Sequence, residues 1–116
     1  MINLTQHKAT PEQIAQGVVE LDADDATILR QWLTFDEPPT DAEIQDRARF
    51  IADLALSYRD ESAMIGGAPY LMPALDAALR AEGIVPRYAF SKRVSVETVI
   101  NGVVTKTNVF KHVGFV

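Results

Sequence analysis

The chain has no cysteine, which excludes disulfides, thiol chemistry and cysteine-ligated zinc. No apolar run approaches the ~18 residues of a membrane-spanning helix. The opening Met1-Ile2-Asn3-Leu4-Thr5 has neither the charged region nor the long apolar segment of a secretory signal, so a cytoplasmic location is expected. Low-complexity segments, linkers and internal repeats are absent. No Asp/His/Glu group has the spacing of a metal site. Asp22, Asp24 and Asp25 lack the glycine and closing glutamate of a calcium loop. No serine sits in a nucleophile-elbow context. Neither a metal nor a cofactor is expected.

What is present suits one domain, residues 1–116, with 47% hydrophobic content for its core. The net charge of −5 argues against binding long nucleic acid. The charge is unevenly spread. Residues 86–116 hold Arg87, Lys92, Arg93, Lys106 and Lys111 against Glu97 alone, a net +4. Residues 1–85 hold six basic and fifteen acidic residues, a net −9. A small basic end on an acidic body fits a compact anionic ligand, although strand edges also carry such residues for solubility.

In chain order, Ile2–Thr5 reads as strand 1 and Gln6-His7-Lys8-Ala9 as the loop after it. Thr10-Pro11-Glu12-Gln13 is a helix start with cap, proline and reciprocal glutamine, and Gly17 ends that helix. Val18–Leu21 is expected as strand 2. Asp22-Ala23-Asp24-Asp25 offers caps for a helix through Trp32, which Asp36-Glu37-Pro38-Pro39 breaks. Thr40–Glu43 opens a helix to about Tyr58, whose Ile44, Ala48, Ile51, Ala52, Ala55 and Tyr58 follow helical spacing. Ala63–Ile65 is a short buried strand, Gly66-Gly67 a turn, and Pro69 to about Glu82 a helix with Leu71, Leu75, Ala78 and Leu79 inward. Val85–Ser91 is the next strand. Asn101-Gly102 between Val94–Ile100 and Val103–Phe110 is a hairpin turn, and Val113–Val116 ends extended. Helical crossovers between strands imply parallel pairing. The expected fold is a single Rossmann-like α/β domain, a mostly parallel sheet flanked by helices, with a C-terminal antiparallel hairpin.

Ligands of such sheets bind beyond the C-terminal strand ends. Three segments end there: Gln6-His7, Gly66-Gly67-Ala68 and Ser91-Lys92-Arg93. Together they would offer an imidazole, backbone amides for an anion, and a cationic cluster, a set suited to phosphate chemistry. Each has a plainer explanation. A lone loop histidine is usually a surface residue, a glycine pair can serve turn geometry alone, and Lys92-Arg93 can be a solvated strand end. His112 reads as structural or exposed.

The run Tyr88-Ala89-Phe90-Ser91-Lys92-Arg93, then Glu97, Asn101-Gly102 and Lys106 to Val113, resembles the end of the small stand-alone CARF-like (CRISPR-associated Rossmann fold) ring nucleases of type III CRISPR systems. Gln6-His7, Ala9-Thr10, Gln13, Trp32, Pro38-Pro39 and the glycine pair extend the resemblance. It implies a CARF-like fold, a homodimer, and a cyclic oligoadenylate ligand, most often the four-membered ring. It also implies cleavage without metal, in which a ribose 2′-hydroxyl attacks its own phosphate and antiviral signalling is switched off. On that resemblance His7, Lys92 and Arg93 are the expected catalytic residues, and Gln6, Gly66, Gly67, Ala68 and Ser91 the expected ligand-binding ones. Gln6 stands where the family has Asn or Ser, and Gly114-Phe115-Val116 lacks a basic residue found there in the family. Two alternatives stand beside it: a non-catalytic nucleotide- or phosphate-binding module of a phage or mobile element, and a dimerisation module with no ligand.

Overall fold

The computed structural model describes residues 1–116. A four-stranded mixed sheet carries helices α1 to α4 and runs out into a C-terminal hairpin. Strand β1 (Ile2–Asn3) pairs in parallel with β2 (Ser62–Ile65), and β2 pairs in parallel with β3 (Val85–Ile100). β3 pairs antiparallel with β4 (Val103–Phe115). On the outer side of β1, Val19 forms a single parallel bridge to Ile2. The lateral order is therefore Val19, β1, β2, β3, β4. The chain first steps outward from β1 and then returns to its other side.

The helices start where their caps dictate. Thr10 and Gln13 form the reciprocal box that opens α1 (Pro11–Ala15), and Gly17 follows with φ +100°. Thr40 Oγ1 accepts the Glu43 amide and opens α3 (Asp41–Leu56). α2 (Ala23–Leu33) begins with Asp24 and Asp25 in its first turn, but the Asp22 side chain makes no cap bond. The Asp22 amide instead donates to the Tyr58 hydroxyl at 3.0 Å. α4 is Met72–Ala81.

One cluster makes the core. Ile2, Leu4, Ala63 and Ile65 alternate onto one sheet face, where Leu29, Leu33, Ile51, Ala52, Leu75 and Leu79 of α2, α3 and α4 meet them. Trp32 packs against this cluster and tilts onto Phe50 at 5.6 Å between ring centres. Asn3 and Met64 are buried on the other face, which α1 approaches without burying a residue of its own.

Several boundaries differ from expectation. Strand 1 is two residues long, because Asn3 turns the chain into a bonded loop. Strand 2 shrinks to the Val19 bridge, because Glu20 is drawn into that same loop and α2 begins at Ala23. α4 begins at Met72 and not at Pro69. Pro69 starts a turn in which the Leu71 amide donates to the Ala68 carbonyl, and the proline of the first helical turn is Pro73. The strand from Val85 does not end at Ser91. Ser91, Lys92 and Arg93 pair with His112, Lys111 and Phe110, so β3 continues to Ile100 and β4 is likewise unbroken. No helix is long and apolar enough to cross a membrane.

Candidate site at the C-terminal sheet edge

The loop after β1 is set by one buried polar side chain. Asn3 Nδ2 donates to the His7 carbonyl at 2.8 Å and to Glu20 Oε1 at 3.0 Å. Its Oδ1 accepts from the Thr5 amide at 2.9 Å and the Thr5 hydroxyl at 2.7 Å. Both donors and two acceptor positions of the amide are thereby used, which is what burial demands. Glu20 also accepts the Ala9 amide at 2.8 Å. The loop thus curls at Thr5–His7 and delivers Thr10 to its cap.

Beyond β2, Gly67 has φ +146°, a conformation that side-chain-bearing residues rarely adopt. A Cβ on Gly66 would meet only Thr5 Cγ2 at 3.8 Å. Only Gly67 is required by its backbone. Because α4 starts at Met72, the Gly66 and Gly67 amides lie in the turn before it and are not at its N-terminus. Ala68 is half-buried against the core.

These two loops wall a cleft of about 440 Å³ above β1 and β2. Thr5, Gln6 and His7 line one side and Gly66, Gly67 and Tyr88 the other, with Thr10 and Gln13 at its margin. The strand order changes direction between β1 and β2, so this cleft lies at the switch point of the sheet. His7 is exposed, and its ring takes part in no hydrogen bond within the chain.

Sequence reasoning missed Tyr88, Asp76 and Arg80. The Tyr88 hydroxyl lies 3.3 Å from Asp76 Oδ2, and Arg80 Nε donates to Asp76 Oδ1 at 2.7 Å. Burial, then the Asp76 carboxylate, pushes the Tyr88 hydroxyl above its ordinary value of 10.0, and Arg80 opposes this. A second cleft, lined by Gly66, Gly67, Met72, Asp76, Arg80 and Tyr88, adjoins the first through the two glycines and the tyrosine. The i,i+4 spacing of Asp76 and Arg80 on α4 was the available signal.

The expected cationic cluster lies elsewhere. Ser91 lines a neighbouring hollow at the root of the hairpin with Thr10, Gln13, Lys111 and His112. Lys92 and Arg93 are on the hairpin beyond it and do not line the switch-point cleft. Lys92 sits directly across from Lys111, an unfavourable like-charge pair unless an anion or solvent separates them. The Arg93 guanidinium lies 5.6 Å from the centre of the Phe110 ring. His112 Nε2 is 2.8 Å from Gln16 Oε1, and Gln16 Nε2 donates to the Val113 carbonyl at 3.2 Å. That clamp ties the irregular pairing at Phe90/Ser91 to α1. No three His, Asp or Glu side chains gather as a metal-binding group.

No curated protein and no solved structure matches the chain. Its whole length, residues 1–116, matches the Uncharacterized protein MJ1673 family, and the chain belongs to that family.

Proposed function

We propose that the protein binds a cyclic oligoadenylate, cyclic tetraadenylate first among them, and opens its ring in the manner of the CARF-like ring nucleases it resembles. It would act as a homodimer in the cytoplasm and so end a type III CRISPR signal. The observation that carries this is the convergence of Gln6, His7, Gly66 and Gly67 on one cleft at the sheet's switch point. The lateral order of Val19, β1, β2 and β3 supports a Rossmann-like reading, since a parallel sheet that reverses direction beside β1 is the doubly wound arrangement.

In the proposed reaction a ribose 2′-hydroxyl attacks the adjacent phosphorus. The O2′–P bond forms, the P–O5′ bond breaks, and the products end in a 2′,3′-cyclic phosphate and a 5′-hydroxyl. His7 takes the 2′ proton or supplies one to the departing O5′. The Gly66 and Gly67 amides and Gln6 hold a neighbouring phosphate. Arg80 would reach it from the adjoining cleft beside α4. Ser91 at the hairpin root, with Lys92 and Arg93 beyond it, would meet only a part of the ring that extends out of the cleft along the hairpin. Holding the ring in line supplies much of the rate, because nucleophile and leaving group belong to one molecule.

A second reading has its own observation. The His7 ring has no partner to orient it, whereas catalytic bases are ordinarily oriented by a third group. The cleft would then bind the ring without opening it. Single-turnover kinetics on His7→Ala separate the two. Loss of ~10²–10⁴ in rate with binding kept supports proton transfer. An unchanged rate assigns His7 to binding.

A further inference from the structure

A second cavity, of about 480 Å³, lies across the β1 loop from the switch-point cleft. Thr5, Gln6 and His7 line both, so the loop is a partition between them. The far walls come from α1, Glu20–Leu21 and α2. Ile14, Leu21, Ala26 and Leu29 make those walls apolar. Ile14 is 54% exposed, an apolar side chain left half in water at the wall of a hollow. An apolar hollow of this size with a few polar groups is the usual form of a small-molecule site.

Besides His7, three charged side chains line it, Lys8, Glu20 and Arg30, and no ion pair joins them. Glu20 is held at one oxygen. Its Oε1 accepts from Asn3 Nδ2 at 3.0 Å and from the Ala9 amide at 2.8 Å, and Oε2 has no partner within the chain. Arg30 Nη2 donates only to Thr27 Oγ1, at 3.3 Å. The end of α2 does not claim Arg30, because Arg47 Nη1 already takes the Gln31, Trp32 and Thr34 carbonyls. Residues 1–85 hold fifteen acidic residues to six basic ones, yet two of those six line this one cavity without an acidic partner. Two cations against Glu20 leave it a net +1. Cations spared from so many acids suit an anion from outside the chain, and the free Glu20 oxygen suits a donor on the same ligand.

We infer that this cavity holds one nucleoside monophosphate unit whose base carries an exocyclic amine, adenylate being the purine of that kind. The base lies between the apolar walls, its amine donates to Glu20 Oε2, and Arg30 and Lys8 hold the phosphate. A single free carboxylate oxygen selects this base. Adenine sets one amino donor beside a ring acceptor. Guanine sets an N1–H beside its amine and asks for both oxygens of a carboxylate, one of which Asn3 and Ala9 already occupy. Hypoxanthine puts an oxygen in the place of the amine, so acceptor meets acceptor. The unit has two sources with the same chemistry: the neighbour of a nucleotide seated in the switch-point cleft, reached across the shared loop, or a free mononucleotide. Only the first of these rests on the proposed function.

The test is calorimetric titration of the full chain with AMP, IMP and adenosine. The parent should bind AMP about tenfold or more tighter than IMP, the difference one hydrogen bond to a charged group makes. Glu20→Gln keeps an oxygen for Asn3 and Ala9 and turns the free one into an NH2 donor, so the preference should reverse to IMP. Arg30→Ala should weaken AMP and leave adenosine unchanged, because only the phosphate loses a partner. Both positions are exposed, and circular dichroism checks that the variants fold. No AMP binding at millimolar concentration, equal affinity of the parent for AMP and IMP, a folded Glu20→Gln that still prefers AMP, or an Arg30→Ala that loses adenosine as much as AMP would overturn the inference. Displacement of AMP by cyclic tetraadenylate assigns the unit to the ring. AMP selectivity beside a ring that is neither bound nor opened leaves the site standing for a free mononucleotide and refutes the proposed function; ring opening without AMP selectivity does the reverse.

Discussion

Replacing Asn3 should show how much of the fold depends on one buried amide. Asn3→Leu keeps the branching and the number of heavy atoms and removes four hydrogen bonds at once. The half-buried Thr5 amide loses its acceptor, at about 1 kcal/mol, and the Thr5 hydroxyl, which can turn to the His7 carbonyl at 3.1 Å, loses at most as much. The His7 carbonyl and Glu20 are at the surface, where water replaces part of what is lost, so they add about 1 kcal/mol together. The sum, about 2–3 kcal/mol, is a large share of a domain's stability. At about 2.1 cal/mol/K per residue, that corresponds to a fall in Tm of about 8–12 °C. Asn3→Asp should be worse at neutral pH, since it puts a buried carboxylate beside Glu20 and removes both donors. Its folded-state pKa is raised, so the stability is kept below the unfolded value of about 3.9 and lost as pH rises through the folded one. Thermal denaturation at two pH values reads both effects. A drop under about 2 °C for Asn3→Leu would show that water replaces the amide at no cost, and the account of the loop would be wrong.

The remaining expectations can be checked in parallel. Gly67→Ala should destabilise by about 1–3 kcal/mol because of its φ, whereas Gly66→Ala should leave Tm nearly unchanged and weaken ligand binding through a methyl in the cleft; equal effects on Tm would contradict the backbone assignment. Burial, and after it the bond to Asp25, raises the Tyr58 hydroxyl above 10.0. Its contribution to stability is therefore complete below pH 10 and lost as pH climbs through the folded value. Tyr58→Phe should remove that alkaline decline and cost about 1–2 kcal/mol at neutral pH, as urea titrations at several pH values would reveal. Lys92→Ala should weaken an anionic ligand by about 1.5–3 kcal/mol and flatten its salt dependence; unchanged affinity at low salt would make Lys92 a solvated residue of the hairpin.

Local features of the sequence were legible because they act locally. Thr10, Thr40 and Asn101-Gly102 each specify a cap or turn within four residues. The spacing of Ala48, Ile51, Ala52 and Ala55 gave the buried stripe of α3. Errors came where distant partners decide. Pro69 and Pro73 both look like helix starters, and the turn bonded between Ala68 and Leu71 settles which one serves. Ser91-Lys92-Arg93 looked like a strand end because three polar residues interrupt an apolar run. Their partners on β4 lie about twenty residues away and carry the strand through. For the site, Gln6, His7, Gly66 and Gly67 were readable from their places after strands. Tyr88 and Arg80 were not, since their meeting at Asp76 depends on how α4 lies beside β3.

The central claim is tested most directly by incubating the parent protein with cyclic tetraadenylate in EDTA and resolving the products by mass. Ring opening to linear fragments that end in 2′,3′-cyclic phosphate is the predicted result. A ring that remains intact, in EDTA and again in magnesium, would contradict it.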